Sequence, residues 1–188
     1  MAFNAYLVFP EATAIKGEST SEPETSATGK GAIEIVDYGF GVSMPVTTSR
    51  SDGGGATVGR ANFDVFTCNK GIDSATCKLV EFCCKGTNVP TIALHLYRQG
   101  ASDDSGVVKF AMVVFKHCVI TKVGVSGGGD ELPKESLEFN YGIAEYWYQK
   151  TDHETGKPTA DKPAHYGWST VKNKTEASGL DFTAFQPS

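Results

Sequence analysis

The sequence has no run of about 18 apolar residues free of charge, so a membrane-spanning helix is not expected. The best candidate, Val107–Val125, is interrupted by Lys109, Lys116 and Lys122. The opening MAFNAYLVFPEA has no basic segment, and its apolar stretch is too short for a secretory signal. Positive charge is also scarce. The 17 Lys and Arg stand against 22 Asp and Glu, giving a net charge of −5 and a pI near 5.4. That balance argues against nucleic acid as a partner. There is no internal repeat, and the length of 188 residues fits one domain with a tail.

The motifs of common chemistries are missing too. Cys68, Cys77, Cys83, Cys84 and Cys118 include no C-x-x-C pair, and adjacent Cys83 and Cys84 are poorly placed to share one ion. An odd count without a secretory signal predicts reduced, buried thiols. The SGGGDE stretch is followed by Leu132 and Pro133, not by the Lys-Ser or Lys-Thr that opens a helix in a phosphate loop. Ser126, Gly127, Gly128, Gly129 and Asp130 therefore read as a glycine-rich connection between strands. Asp130 and Glu131 lack the twelve-residue calcium pattern. His117 and Cys118 are neighbours in a strand, so they point to opposite faces and cannot act as base and nucleophile. No Ser/His/Asp order and no paired carboxylates stand out. The lone sequon Asn173-Lys174-Thr175 has no secretory context. These absences leave no motif for a metal or cofactor and no catalytic constellation.

What is present is β-forming. Branched and aromatic residues fill Val107–Val125, and such side chains suit a pleated sheet better than a helix. Val108, Phe110, Met112 and Val114 share one face, while Val107, Ala111, Val113 and Phe115 share the other. Both faces are expected to be buried, which is unusual for an antiparallel strand. After the glycine-rich turn, Leu137, Phe139, Tyr141 and Ile143 alternate with Glu138 and Asn140, and Gly142 suggests a bulge or close approach. Further strands are expected at Phe3–Phe9, Ala32–Met44, Arg60–Cys68 and Pro90–Arg98. In the last of these, Ile92, Leu94 and Leu96 point inward and His95 and Tyr97 outward. One helix is expected over Asp73–Lys85, with Asp73 or Ser74 capping its start and Gly86 ending it. Cys77, Val80, Phe82 and Cys84 lie on a broad apolar surface of that helix, for core or inter-subunit contact. Leu180, Phe182 and Phe185 are spaced as a short amphipathic strand in a polar tail.

Several pieces, taken in order, resemble the Hcp tube proteins of bacterial type VI secretion. They are Ile15–Ser19 (IKGES), Ala32–Ser43 (AIEIVDYGFGVS), a glycine-rich loop before Gly59–Phe63 (GRANF), Lys70–Ser74 (KGIDS) and Cys83–Gly86 (CCKG). Ser126–Tyr148 and His165–Trp168 (HYGW) complete the set. The resemblance implies a mainly β fold: a compact antiparallel β-barrel of two packed sheets with one lateral helix. It would occupy residues 1–168, with 169–188 as a C-terminal extension. It implies a structural subunit of the inner tube, with homohexameric rings that stack inside a contractile sheath below a spike. Effector cargo would ride in the lumen, and the protein would be secreted after cytoplasmic assembly. The loop Val46–Gly59 would reach the next ring, placing Arg50, Asp52, Gly53, Gly54 and Gly55 at the stacking contact. A cysteine-rich helix, a long Ser21–Gly31 loop and the tail depart from that pattern. The resemblance implies no enzymatic activity. The alternatives are a tail-tube protein of a phage-like or extracellular contractile injection particle, and a monomeric β-barrel that binds a small ligand or hydrolyses one.

Overall fold

The computed structural model describes residues 3–20, 31–46, 59–99, 107–129, 131–177 and 182. Within them the chain forms β1 (Phe3–Val8), β2 (Ile33–Ile35), β3 (Asp37–Gly39), β4 (Val42–Ser43), β5 (Asn62–Phe63), β6 (Phe66–Gly71), α1 (Thr76–Lys85), β7 (Asn88–Gln99), β8 (Val107–Gly128), β9 (Glu131–Asn140), β10 (Ile143–Tyr148), β11 (Ala164–Ser169) and β12 (Lys174–Thr175). The named strands all pair antiparallel.

β8 is the organising strand, 22 residues long. Its first part pairs with β7 and β10, and its last part with β9. The exchange of partners falls at His117, which takes a left-handed φ of 55°. Opposite it, Tyr141 and Gly142 separate β9 from β10, and the Gly142 amide donates to the Lys116 carbonyl at 2.9 Å. From β8 the pairings run through β7 and β1 to β2, and in the other direction through β9 and β6 to β3. β2 and β3 are separated only by Val36, whose amide donates to the Asn69 carbonyl at 2.8 Å. The barrel is thus bridged at a bend in the chain and not closed by a continuous ladder. β10, β11 and β12 extend the sheet beyond β8.

The inner core is aromatic. Phe66 stacks on Phe139 at 4.6 Å and meets Phe115 edge-on at 5.3 Å, and Phe115 lies 4.7 Å from Tyr141. Each such pair adds about 0.5–1.5 kcal/mol beyond its buried area. The opposite side of the β1–β7–β8–β10 sheet is buried as well, under Tyr6, Val8, Ala93, Tyr97, Met112, Val114, Trp147 and Phe182. The expectation that both faces of β8 are buried holds, but an irregularity in its register against Leu96 and Tyr97 puts Phe110 with Ala111 against the inner core and not with Met112 and Val114. The outward placing of His95 and Tyr97 does not hold, since both are buried. Alternation separates the two faces of β7, but the second face is covered by residues distant in sequence.

The helix also starts later than expected, at Thr76. Asp73 does not cap it. Its carboxylate accepts from the Ala75 amide and pairs with Lys70 at 2.7 Å, while the Ser74 hydroxyl donates to the Lys16 carbonyl. Lys70 is buried and lies 3.5 Å from buried Glu135 of β9, which accepts from the Thr76 hydroxyl at 2.5 Å. This cluster joins β6, β9 and the start of α1. Gly86 ends the helix in the left-handed conformation (φ 59°), as the sequence predicts. The expected strand at Arg60–Cys68 is broken at Asp64 and Val65, and β6 runs on to Gly71.

Lys70→Met leaves Glu135 buried without its cation and is expected to destabilise the chain by about 3–5 kcal/mol. Adding Glu135→Met should recover part of that loss. Urea unfolding of the two variants measures both effects, and equal stability of the single variant and the parent would contradict the role of the cluster.

Candidate functional site

Three surfaces project from this frame. The first is a hairpin built from β4 and β5, with Val42 opposite Phe63 and Ser43 opposite Asn62. The Gly59 amide carries the pairing outward by donating to the Pro45 carbonyl at 3.0 Å. Its base is fixed to the barrel. The Arg60 guanidinium donates to the carbonyls of Thr170 and Val171, and the Tyr141 hydroxyl donates to the Asp64 carbonyl at 2.9 Å. Val42, Met44 and Val46 are 59%, 48% and 50% exposed. At strand spacing they fall on one side, so the hairpin carries an uncovered apolar stripe outward. Arg50, Asp52, Gly53, Gly54 and Gly55, expected at the stacking contact, lie outside the described residues, between the two arms of this hairpin. The sequence reading did not single out Val42, Met44, Val46 or the Arg60 brace. The alternation in Val42–Val46 was their signal.

The second surface is the helix. Of the four residues expected there, Phe82 packs against the inner core with Leu79 and Cys83, while Cys77, Val80 and Cys84 face outward. Val80 is 39% exposed between the two exposed thiols. Beside them Glu81 pairs with Lys78 at 2.7 Å and with Lys85 at 2.6 Å. The hydrogen bond from Lys78, then that from Lys85, holds its carboxyl down at about 2. The result is an apolar and thiol-bearing stripe bordered by fixed charges. The expectation of buried thiols is therefore correct for Cys68 and Cys118 and wrong for Cys77 and Cys84. Helical spacing puts residues seven apart on the same side, and the side holding Leu79 already fills the contact with the barrel.

The third surface is the β8–β9 arm. Ser126, Gly127, Gly128 and Gly129 form its end, with Gly129 at φ 67°. Asp130 lies outside the described residues. Val125 and Leu132 beside the turn are exposed, and Lys122 pairs across the strands with Glu138 at 2.7 Å. These surfaces are suited to contact with protein. Among the described residues no three His, Cys, Asp or Glu side chains are grouped to hold a metal ion, and no helix is long and apolar enough to cross a membrane.

A family model described as the type VI secretion system effector Hcp matches residues 6–148. No curated protein sequence gives a significant match. Among solved structures, one described as a type six secretion system protein is 26% identical, with a TM-score of 0.78 over 93% of this chain and all of that one. Hcp1 from Salmonella typhimurium is 18% identical, with a TM-score of 0.69 over 94% of this chain and 100% of its own. Hcp1 from the E. coli EAEC 042 pathovar is 16% identical, with a TM-score of 0.66 over 90% of this chain and 99% of its own. The last two share the fold.

Burial pushes the Cys68 and Cys118 thiols up to about 12, so almost no thiolate is present at pH 8. Ellman's reagent on the native protein should label Cys77 and Cys84 quickly and Cys68 and Cys118 only after unfolding. Rapid labelling of Cys68 or Cys118 in the folded chain would contradict the placement of the thiols.

Proposed function

This chain belongs to the Hcp family of type VI secretion proteins, and from that premise we propose that it is the structural subunit of the secretion tube, closing into hexameric rings that stack end to end. The observation that carries this reading is the pairing of uncovered apolar surfaces on rigid supports. The Val42–Met44–Val46 stripe rides on a hairpin braced by Arg60, and the Cys77–Val80–Cys84 stripe rides on a helix pinned by Lys70 and Glu135. A ring needs two different faces that fit one another, and stacking needs a third contact along the axis. The helix stripe and the β8–β9 arm serve ring closure, and the hairpin, together with Arg50 and Asp52 in the sequence that joins its two strands, serves stacking. On this reading the tube lies inside a contractile sheath, bears a spike, holds effector cargo in its lumen, and is secreted from the cytoplasm. Residues 1–168 form the tube domain.

Val80→Glu is expected to leave the fold intact, since this side chain is already partly exposed. It should weaken ring closure by about 100-fold, because an uncompensated charge buried at an interface costs several kcal/mol. Phe82→Asp is expected to unfold the chain instead. Light scattering with circular dichroism separates the two outcomes, and a wild-type ring from Val80→Glu would remove the helix from the interface. Deleting Ser51–Gly55 should preserve rings and abolish long tubes. Negative-stain microscopy of concentrated protein reads this directly, and long tubes from the deletion would show that the loop does not join the rings.

A further inference from the structure

All five cysteines carry free thiols, and Cys77 and Cys84 are the two that stand exposed. Both lie on α1, with Val80 between them, 39% exposed. Neither has a bridging partner within its own chain. A disulfide needs Cα atoms about 4.4–6.8 Å apart. Residues seven apart on a helix are separated by about 10.5 Å, and Cys77 and Cys83, six apart, by about 9 Å. Cys83 and Cys84 are chain neighbours, at about 3.8 Å. Cys68 and Cys118 are buried in the inner core, on the side of the helix away from the exposed thiols. A bridge through Cys77 or Cys84 therefore joins two copies of the chain, and the exposed thiols of the second copy are again on its helix. Helical geometry makes the stripe self-complementary. At about 100° per residue Cys77 and Cys84 fall about 20° apart, with Val80 about 50° to one side of their line and Glu81 about 50° to the other. A two-fold axis passing between residues 80 and 81 sets an antiparallel second copy with its Cys84 against Cys77 and its Cys77 against Cys84. The two Val80 side chains then meet between the bridges. Glu81 of each copy arrives already held by Lys78 at 2.7 Å and Lys85 at 2.6 Å, which offsets the repulsion between the two carboxylates.

We propose that Cys77 and Cys84 form a redox-modification site, at which two copies of the chain join helix to helix through reciprocal disulfides between Cys77 of each copy and Cys84 of the other. The co-reactant is a small disulfide such as oxidised glutathione. The Cys77 thiolate attacks one of its sulfurs, breaking the small disulfide, forming a mixed disulfide and releasing one glutathione thiol. The second copy's Cys84 thiolate then attacks the Cys77 sulfur and displaces the remaining glutathione as a thiol. Each bridge oxidises two protein thiols, reduces one glutathione disulfide to two thiols, and leaves the two protons on the released glutathione. The consequence for assembly rests on the reading that the helix stripe serves ring closure. Ring closure is heterologous, with the stripe set against a different face of the neighbour, whereas the disulfide contact is isologous, stripe against stripe. One stripe cannot make both contacts. Oxidation therefore withdraws subunits from ring assembly in pairs, and reduction returns them.

The test uses the full-length chain and its Cys77→Ser and Cys84→Ser variants, each incubated at micromolar concentration with oxidised glutathione. Non-reducing electrophoresis should show the parent as a covalent dimer of about 40 kDa, twice the chain mass of 20.0 kDa. Mass spectrometry of the digest should recover Cys77 linked to Cys84. Either single variant alone should dimerise about tenfold more slowly or less, since its remaining thiol has no reciprocal partner. An equimolar mixture of the two should regain the dimer, because one variant supplies Cys84 and the other Cys77. Circular dichroism checks each fold, and Cys77→Ala with Cys84→Ala provides the same comparison if a serine variant loses native structure. Light scattering should find no ring in the bridged sample and the return of rings on adding dithiothreitol. A parent that stays monomeric on the gel, single variants that dimerise as fast as the parent, or a mixture that does not recover would each overturn the bridge. Rings built from the bridged dimer would overturn its competition with assembly. The gel reads the bridge whether or not rings form, so a reduced chain that forms no ring contradicts the tube reading alone.

Discussion

The fold depends on covering one strand twice. β8 is the longest strand, and its first part is buried on both faces. Val113 and Phe115 enter the aromatic core, while Met112 and Val114 face the outer cluster. Full burial of a Val, Phe or Met side chain contributes about 1.5–3 kcal/mol, so neither face could be left open without a substantial loss. The inner face is covered by the curled sheet and by Leu79 of the helix. On the outer face Phe182 packs with Tyr97, Met112, Val114 and Trp147. Where the two-sided requirement ends, at His117, the strand turns and takes β9 as its partner. The bend that allows the sheet to curl and the bend that frees the β8–β9 arm are the same bend.

Much of this was readable from residue order. The double apolar pattern of Val107–Phe115 implied two covers, and Gly86 marked the end of the helix. The failures have a common physical cause. Period two tells which residues share a face, but not whether that face meets water. His95 and Tyr97 looked solvent-facing because the residues that cover them lie elsewhere in the sequence. Asp73 has the chemistry of a cap, but buried Lys70 draws its carboxylate into an ion pair. Cys77 and Cys84 were expected to be buried, because the apolar spacing of a helix does not tell which of its sides meets the barrel. The surfaces proposed for assembly were only half readable. The glycine-rich turn and the helix form where the sequence places them, whereas Val42 and Met44 were absorbed into a longer strand and Val46 into the loop that follows, and Arg50 and Asp52 lie outside the described residues.

Rigid supports under exposed apolar residues connect the fold to the proposed function. The hairpin is held at its base by Arg60 and Tyr141, and α1 by the buried Lys70–Glu135 cluster, so both present their surfaces in a fixed geometry. Pre-set geometry lowers the entropic cost of association. It also suits a repeating assembly, because a small error in the angle between neighbours accumulates around a ring and prevents closure. Buried charge is expensive in a small domain, and here it lies where the helix that carries an exposed apolar stripe meets the barrel.

The central claim is that the helix stripe and the β8–β9 arm close a ring. Native mass spectrometry of the purified full-length chain, at micromolar concentration and moderate salt, tests it most directly. With a chain mass of 20.0 kDa, the account predicts a dominant closed species of about six copies. A chain that stays monomeric up to high micromolar concentration would contradict it.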